Sequence, residues 1–343
     1  MYSANKTFTN LLQGLSERQR EVLIGRFGLE KSGKAMTLAA LGARYKVTRE
    51  RIRQIESAAL SALRVKINAD PACADILERS RAYLKAAGGA VRAETMQEFL
   101  RGLIEGITPN HLAVLIESTK TFYYHPADKH FHDFYYLDKL SLKTAATFLD
   151  QWAAYLRQRK EQILTGHYAE FLDEFLKKKG VKKEHAQNYL AITKRIHENP
   201  FGDVGLAEWP EILPRTIRDR VYLVLKRKHE PMHFRVIAKT INEAGFGKSK
   251  ASPPTVHNEL IKDDRFVLVG RGIYALTEHG YEPGTAREVI SRILQKQGPL
   301  KPKAVIQAVQ KERFFKPNTV MVNLQNKMHF ERLNDGTYRV RQA

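Results

Sequence analysis

Along residues 49–64 the apolar positions recur at the spacing of one helix face. Ile52, Ile55, Ala59 and Leu63 fall three or four residues apart, and Arg49, Glu50, Arg53, Gln54 and Ser57 fill the opposite side. Thr48 stands where an N-cap belongs, which sets Arg49 and Glu50 in the first turn. A shorter periodic segment, Thr37–Tyr45, precedes it across a tight turn, so the pair reads as helix–turn–helix. Residues 74–104 predict a helix ending at Gly88-Gly89, a short apolar step and a second helix. Thr108-Pro109 opens a further helix, and TFYYH and FHDFYYL then alternate as two aromatic strands. Residues 141–200 predict amphipathic helices, and the Pro-bearing segment Glu208–Pro214 reads as a linker.

Beyond residue 215 one pattern occurs twice. PTVHNELIKDDRFVLVGRGIYAL (254–276) aligns with NTVMVNLQNKMHFERLNDGTYRV (318–340) at a constant offset of 64. Thr255/Thr319, Val256/Val320, Leu260/Leu324, Phe266/Phe330, Gly272/Gly336 and Tyr274/Tyr338 then coincide. Upstream, EPMHFRVIAKTI (230–241) matches GPLKPKAVIQAV (298–309) at an offset of 68, so the second copy is four residues shorter. Each copy predicts a helix, a short extended step, two helices and two strands about a Gly turn, which is the order of a winged helix. Val267–Val269 and Ile273–Leu276 form the first wing, with Gly270 and Gly272 permitting its turn, and Asp335-Gly336 turns the second. The same order is predicted over 70–138. The expected fold class is therefore mainly α: tandem helix-turn-helix and winged-helix domains with small β-hairpin wings. The expected divisions are 1–68, 70–138, 139–214 (a helical linker or degenerate winged helix), 215–282 and 283–343.

Charge adds a functional constraint. The chain carries a net +20, unevenly spread. Residues 1–66 hold 13 Lys/Arg against 5 Asp/Glu, residues 67–214 hold 19 against 20, and residues 215–343 hold 25 against 12. Two basic ends around a neutral centre suggest two polyanion-binding parts joined by a scaffold. No apolar run approaches the ~20 residues of a membrane span, and Met1–Asn10 is too polar for a signal peptide. Cys73 is the one cysteine, which excludes a disulfide framework and a cysteine-rich zinc site.

The outward residues of 49–57 suit base reading. Arg matches guanine O6/N7, Gln matches adenine, and Glu accepts from cytosine N4. In the repeats the candidate recognition helices are Pro254–Lys262 and Asn318–Lys327, with His257, Asn258, Lys262, Asn323, Asn326 and Lys327 as contacts. Catalytic chemistry is poorly supported. His125, Asp128, His130, His132 and Asp133 lack a fixed three-ligand scaffold and read as a polar wing tip. GFGKSK (245–250) fails as a phosphate loop because Asn242 stands where Gly is needed. Tyr123, Tyr124, Tyr135 and Tyr136 read as cross-strand packing rather than base stacking. Neither an enzyme nor a cofactor is expected.

LLQGLSERQREVLIGRFGL and TLAALGARYKVTRERIRQIESAALSALR, within residues 11–64, resemble region four of the primary sigma factors of bacterial RNA polymerase. The resemblance implies that Arg49, Glu50 and Gln54 read a promoter −35 element, with Thr48 capping the helix and Arg51 and Arg53 near phosphates. It also implies that the helices around Leu15–Leu29 grip the flap-tip helix of the polymerase β subunit, through Leu15, Leu23, Ile24 and Phe27. Lys46 departs from what the turn prefers, since Gly, Asn or Asp accept a positive φ more easily. Nothing before residue 11 is expected to supply a promoter-melting region, so recruitment or occlusion is expected rather than autonomous initiation. RDRVYLVLKRKHEPMHFRVIAKTINEAGF (218–246) resembles the HARE-type winged helix, also found in the delta subunit of bacterial RNA polymerase. The implied partners are double-stranded DNA and RNA polymerase, with no membrane, in a bacterial cytoplasm near the nucleoid. The expected function is a DNA-binding transcription regulator or partial sigma-like factor. The alternatives are a delta-like accessory protein acting mainly through protein contacts, and an accessory factor of a DNA modification or restriction system.

Overall fold

Ser16, Thr37, Thr48 and Asp70 each accept a hydrogen bond from the backbone N–H three residues on, and each opens a helix. The helices in question are α2 (Glu17–Phe27), α3 (Leu38–Tyr45), α4 (Arg49–Ala69) and α5 (Pro71–Ala86), preceded by α1 (Ala4–Gln13). Helix α4 runs five residues beyond its periodic segment. Asp70 ends it and caps α5 in the same step, with Pro71 at the first helical position. The computed structural model describes residues 2–30, 33–247 and 249–341, in two compact units, 1–197 and 198–343. The fold is mainly α with small, mostly antiparallel sheets. Among the described residues no helix is long and apolar enough to cross a membrane.

In the first unit α5 is followed by a strand (Ala90–Arg92), α6 (Ala93–Arg101), α7 (Pro109–Thr119) and two strands, Tyr123–His125 and Phe134–Tyr136. The sheet places 134–136 centrally, pairing Val91 and Tyr124 with Tyr135 on its two sides. The aromatic strands pack across the ladder, Tyr123 on Tyr136 at 5.4 Å and Tyr124 against Tyr135 at 5.1 Å, as their alternation suggested. A single core joins the segments on either side of residue 69. Phe8, Leu12, Leu63 and Ile67 share it with Ile76, Leu84, Met96, Leu112, Leu115 and Phe122. Tyr2 pairs in parallel with Ile104, and the Asn110 side chain donates to the Gly28 and Gly33 carbonyls at 2.9 and 3.1 Å. The helices of 139–192 close against this body. His185, Asn188 and Tyr189 from one helix bond the carbonyls of Ala86, Ala87 and Gly88, which the end of α5 leaves open.

The second unit holds the repeat. Its first copy comprises helices Ile217–Lys228, Phe234–Ala244 and Pro253–Lys262, with strands Met232–His233, Phe266–Gly270 and Ile273–Leu276. The second comprises helices Ala286–Gln297, Pro302–Glu312 and Pro317–Leu324, with strands Phe330–Arg332 and Tyr338–Val340. Met232 pairs with Tyr274 in the first copy and Leu300 bridges Tyr338 in the second, which reproduces both sequence offsets. The four missing residues fall in one loop, which runs 245–252 in the first copy and 313–316 in the second.

Three expectations change here. The last helix of the second copy stops at Leu324, so Asn326 and Lys327 lie in the turn beyond it. The Asn326 side chain accepts from the Met328 N–H and holds that turn. Gly272 takes the positive φ of the first wing turn, but Gly270 does not. Gly270 is required instead by proximity, because a Cβ there would lie 2.8 Å from the Phe314 Cβ. The segment Glu208–Pro214 is no open linker, since Trp209 and Ile212 are buried. In the loop after Ala244, Asn242 exchanges two hydrogen bonds with Ala251, and Lys248 lies outside the described residues.

Candidate nucleic-acid interface

The α3–turn–α4 segment folds around its own small core of Val22, Leu41 and Ile52, with Met36, Tyr45, Val47 and Ile55 packed against it. Helix α3 ends with Lys46 in the left-handed region, at φ +55°. The Val47 N–H reaches the Gly42 carbonyl at 2.9 Å and the Lys46 N–H reaches Ala43 at 3.4 Å, so the last carbonyls are closed and the turn is fixed. Gly42 permits this closure. A Cβ on it would sit 2.8 Å from the Val47 carbonyl oxygen, which is backbone and has no room to yield. Arg18 reinforces the turn from α2, donating to the Tyr45 carbonyl at 3.2 Å with its guanidinium 4.0 Å above the Tyr45 ring. Arg26 ties α2 to Glu56 of α4 at 3.1 Å and donates to the Met36 carbonyl at 3.3 Å.

Helix α4 leaves this support with Arg49, Glu50, Arg51, Arg53, Gln54 and Ser57 exposed and Ile52, Ala59 and Leu63 buried. The outward groups are organised. Glu50 takes two donors of Arg53, at 2.7 and 2.9 Å, and this bond holds its carboxyl below the usual carboxylate range. Arg51 donates to the Gln54 carbonyl oxygen at 3.2 Å, which turns the Gln54 amide nitrogen outward. Arg49 has no ion pair or hydrogen bond among the described residues. Arg44 and Lys46 add positive charge at the entrance to α4 and were not singled out as contacts by sequence, because turn residues carry no periodic mark. The face can offer a donor fork, an acceptor and an amide over two turns, flanked by cations. That set matches a major-groove edge and its bordering phosphates.

The other expected contacts are less uniform. Leu15 and Leu23 are buried in the shared core, while Ile24 and Phe27 are half-buried against it. Asn258 and Lys262 are exposed on their helix, but His257 is half-buried, its ring 4.8 Å from Phe234 and 5.9 Å from Tyr274. Asn323 is half-buried and donates to the Thr319 carbonyl, and Asn326 and Lys327 are exposed in the turn. At the first unit's wing tip, the Asp128 carboxylate caps the His130 and Phe131 N–H groups at 2.7 Å each, a local turn bond.

Comparison with known proteins agrees with two parts of this picture. Residues 11–65 match the family model for sigma-70 region 4. Residues 215–279 match the HARE-HTH model, a helix-turn-helix domain described by its occurrence in ASXL and restriction endonuclease proteins. The first segment is 50% identical over 62 residues to the RNA polymerase sigma factor SigA4 of Synechococcus elongatus, covering 18% of this chain and 19% of the relative. It is 53% identical over 55 residues to SigA of Microcystis aeruginosa, covering 16% and 13%. It is 52% identical over 54 residues to SigA of Clostridium acetobutylicum, covering 16% and 14%. The chain thus spans less than a fifth of the length of these relatives.

Proposed function

We propose that this chain is a DNA-binding transcription regulator, or partial sigma-like factor, that reads a −35-like element through α4 and associates with RNA polymerase. One observation carries the reading. The segment at about half identity to sigma factors is the segment whose exposed face collects Arg49, Glu50, Arg53 and Gln54 on the first two turns of a capped helix. Arg49 and Gln54 are the base readers, Glu50 discriminates through its acceptor oxygens, and Arg51, Arg53 and Lys46 hold phosphates. The decisive experiment is a binding-site selection on the full chain and on an Arg49→Ala/Gln54→Ala variant. A −35-like motif from the wild type that is lost in the variant supports the reading, and one motif from both rejects it.

Polymerase association is the coarser half of this proposal. Of the four apolar residues implied in a flap contact, Leu15 and Leu23 serve the core, which leaves the exposed edges of Ile24 and Phe27 to meet a partner. Co-purification of the full chain with polymerase, lost on substituting Ile24 and Phe27 by Ser, would place the contact there. The match of 215–279 to a domain type named for restriction endonucleases keeps a second reading open, an accessory factor of DNA modification or restriction. Binding to DNA without any polymerase association favours that second reading. Neither reading gives the chain a catalytic step.

A further inference from the structure

The shortened loop of the second repeat, residues 313–316, buries a charge. The Phe314 N–H donates to the Val269 carbonyl at 2.8 Å, and Phe314 bridges Gly270 in parallel, so the loop extends the first copy's wing. That pairing draws the preceding residue inward, and Arg313 is only 1% exposed. Its Nη1 donates to the Leu268 carbonyl at 3.2 Å, but its Nη2 is buried with no partner among the described residues. No described carboxylate ion-pairs with it. The two nearby ones, Glu282 and Glu312, are both taken by Arg292, the second at 2.8 Å. A buried cation with an unused donor is expensive unless an anion completes it.

The surroundings suit that completion. Arg313 lines a cavity of about 430 Å³ together with Arg292, Lys296, Lys311 and His279, as well as Glu282 and Glu312. Lys296 and Lys311 are exposed and have no ion pair among the described residues. Burial, and then the neighbouring Arg292 charge, push the Arg313 guanidinium below the usual arginine range, and an anion opposes both effects.

We propose that this cavity binds a phosphoryl anion, with Arg313 Nη2 as the buried donor and Lys296 and Lys311 at the mouth. The anion is either a backbone phosphate of bound duplex or a free phosphate group. The site is independent of base reading by α4. Two measurements on the full chain test it, comparing wild type, Lys296→Ala/Lys311→Ala and Arg313→Met. The first is the unfolding midpoint in sodium phosphate against sodium chloride of equal ionic strength. The general stabilising effect of phosphate is common to all three proteins, so only a difference between them counts. The second is the salt dependence of duplex binding, where each lost phosphate contact flattens the log–log slope by about one.

A phosphate-specific rise in wild type that shrinks in both variants supports a free-phosphate site. A slope flattened in both variants, with no such rise, supports a backbone-phosphate site. If neither differs, or if only the lysine variant differs, the buried guanidinium holds no anion and the proposal is overturned. Should Arg313→Met not fold, Arg313→Lys takes its place, since it keeps the charge and loses the fork. If wild type binds no duplex, the function proposed above fails while the phosphate measurement still decides the cavity.

Discussion

Lys46 and Gly42 together make the turn that aims α4, and they do so in opposite ways. Gly42 is needed for want of a side chain, with only 2.8 Å between its notional Cβ and the Val47 oxygen. Gly42→Ala should therefore cost about 1–3 kcal/mol through forced backbone movement, read by chemical denaturation, and an unchanged midpoint would contradict the packing described. Lys46 is held at φ +55°, a conformation that costs a non-glycine residue about 1 kcal/mol. Lys46→Gly should stabilise the chain by up to that much while weakening duplex binding and flattening its salt dependence. Greater stability with unaltered binding would remove Lys46 from the interface. Cys73 offers a pH prediction of known sign. Burial pushes its thiol up to about 12 from an ordinary value of 9.0, so the folded state favours the protonated form. Its contribution is complete below pH 9 and is lost as pH rises toward 12, a loss that Cys73→Ala should remove from the alkaline stability profile. The sequence marked Lys46 because turn residues announce their φ, and it marked the stripe of α4 because period does the same for helices. It held no sign of Gly42, whose role depends on which backbone passes opposite.

Helices and strands were largely legible one by one, since caps, periodicity and turn residues act over four to seven positions. Their mutual packing was not. A stripe such as Leu12, Leu63 and Ile67 says that a face is buried, without saying by what, and here the cover comes from Leu84, Leu112 and Leu115 beyond residue 69. The division between 68 and 70 suggested by composition therefore cuts through a core. A fragment ending at residue 68 would expose Phe8, Leu12, Leu63 and Ile67 together, which is several fully buried side chains at about 1.5–3 kcal/mol each. We expect fragment 1–197 to melt cooperatively and fragment 1–68 to show a broad, low-temperature loss of helix. A sharp transition of 1–68 by circular dichroism would mean that its inner core of Val22, Leu41 and Ile52 suffices alone. The same reasoning explains Gly270. The turn it was expected to permit belongs to Gly272, and its own requirement arises from a loop more than forty residues later.

Charge separates the labour of the two ends more clearly than fold does. The first 66 residues and the last 129 are both strongly basic, yet only α4 presents a fork, an acceptor and an amide side by side on one exposed face. In the repeats the candidate helices offer Asn258 and Lys262 in one copy and a largely uncharged PNTVMVNL in the other, with His257 turned to its own core. Lys and Arg instead spread over helix ends and wings, which favours contact with phosphates over reading of bases. Fragment 198–343, a compact unit with its own cores, should bind unrelated duplexes about equally and lose affinity steeply as salt rises. In the full chain, Arg49→Ala/Gln54→Ala should remove about 1–3 kcal/mol of discrimination per affected base pair and leave the nonspecific, salt-sensitive part intact. Fluorescence anisotropy on a −35-like duplex and a scrambled one, at two salt concentrations, measures both. If the fragment prefers one duplex strongly, the winged helices read sequence themselves. If the double variant loses both duplexes equally, α4 supplies grip rather than choice, and the division of labour drawn from charge is wrong.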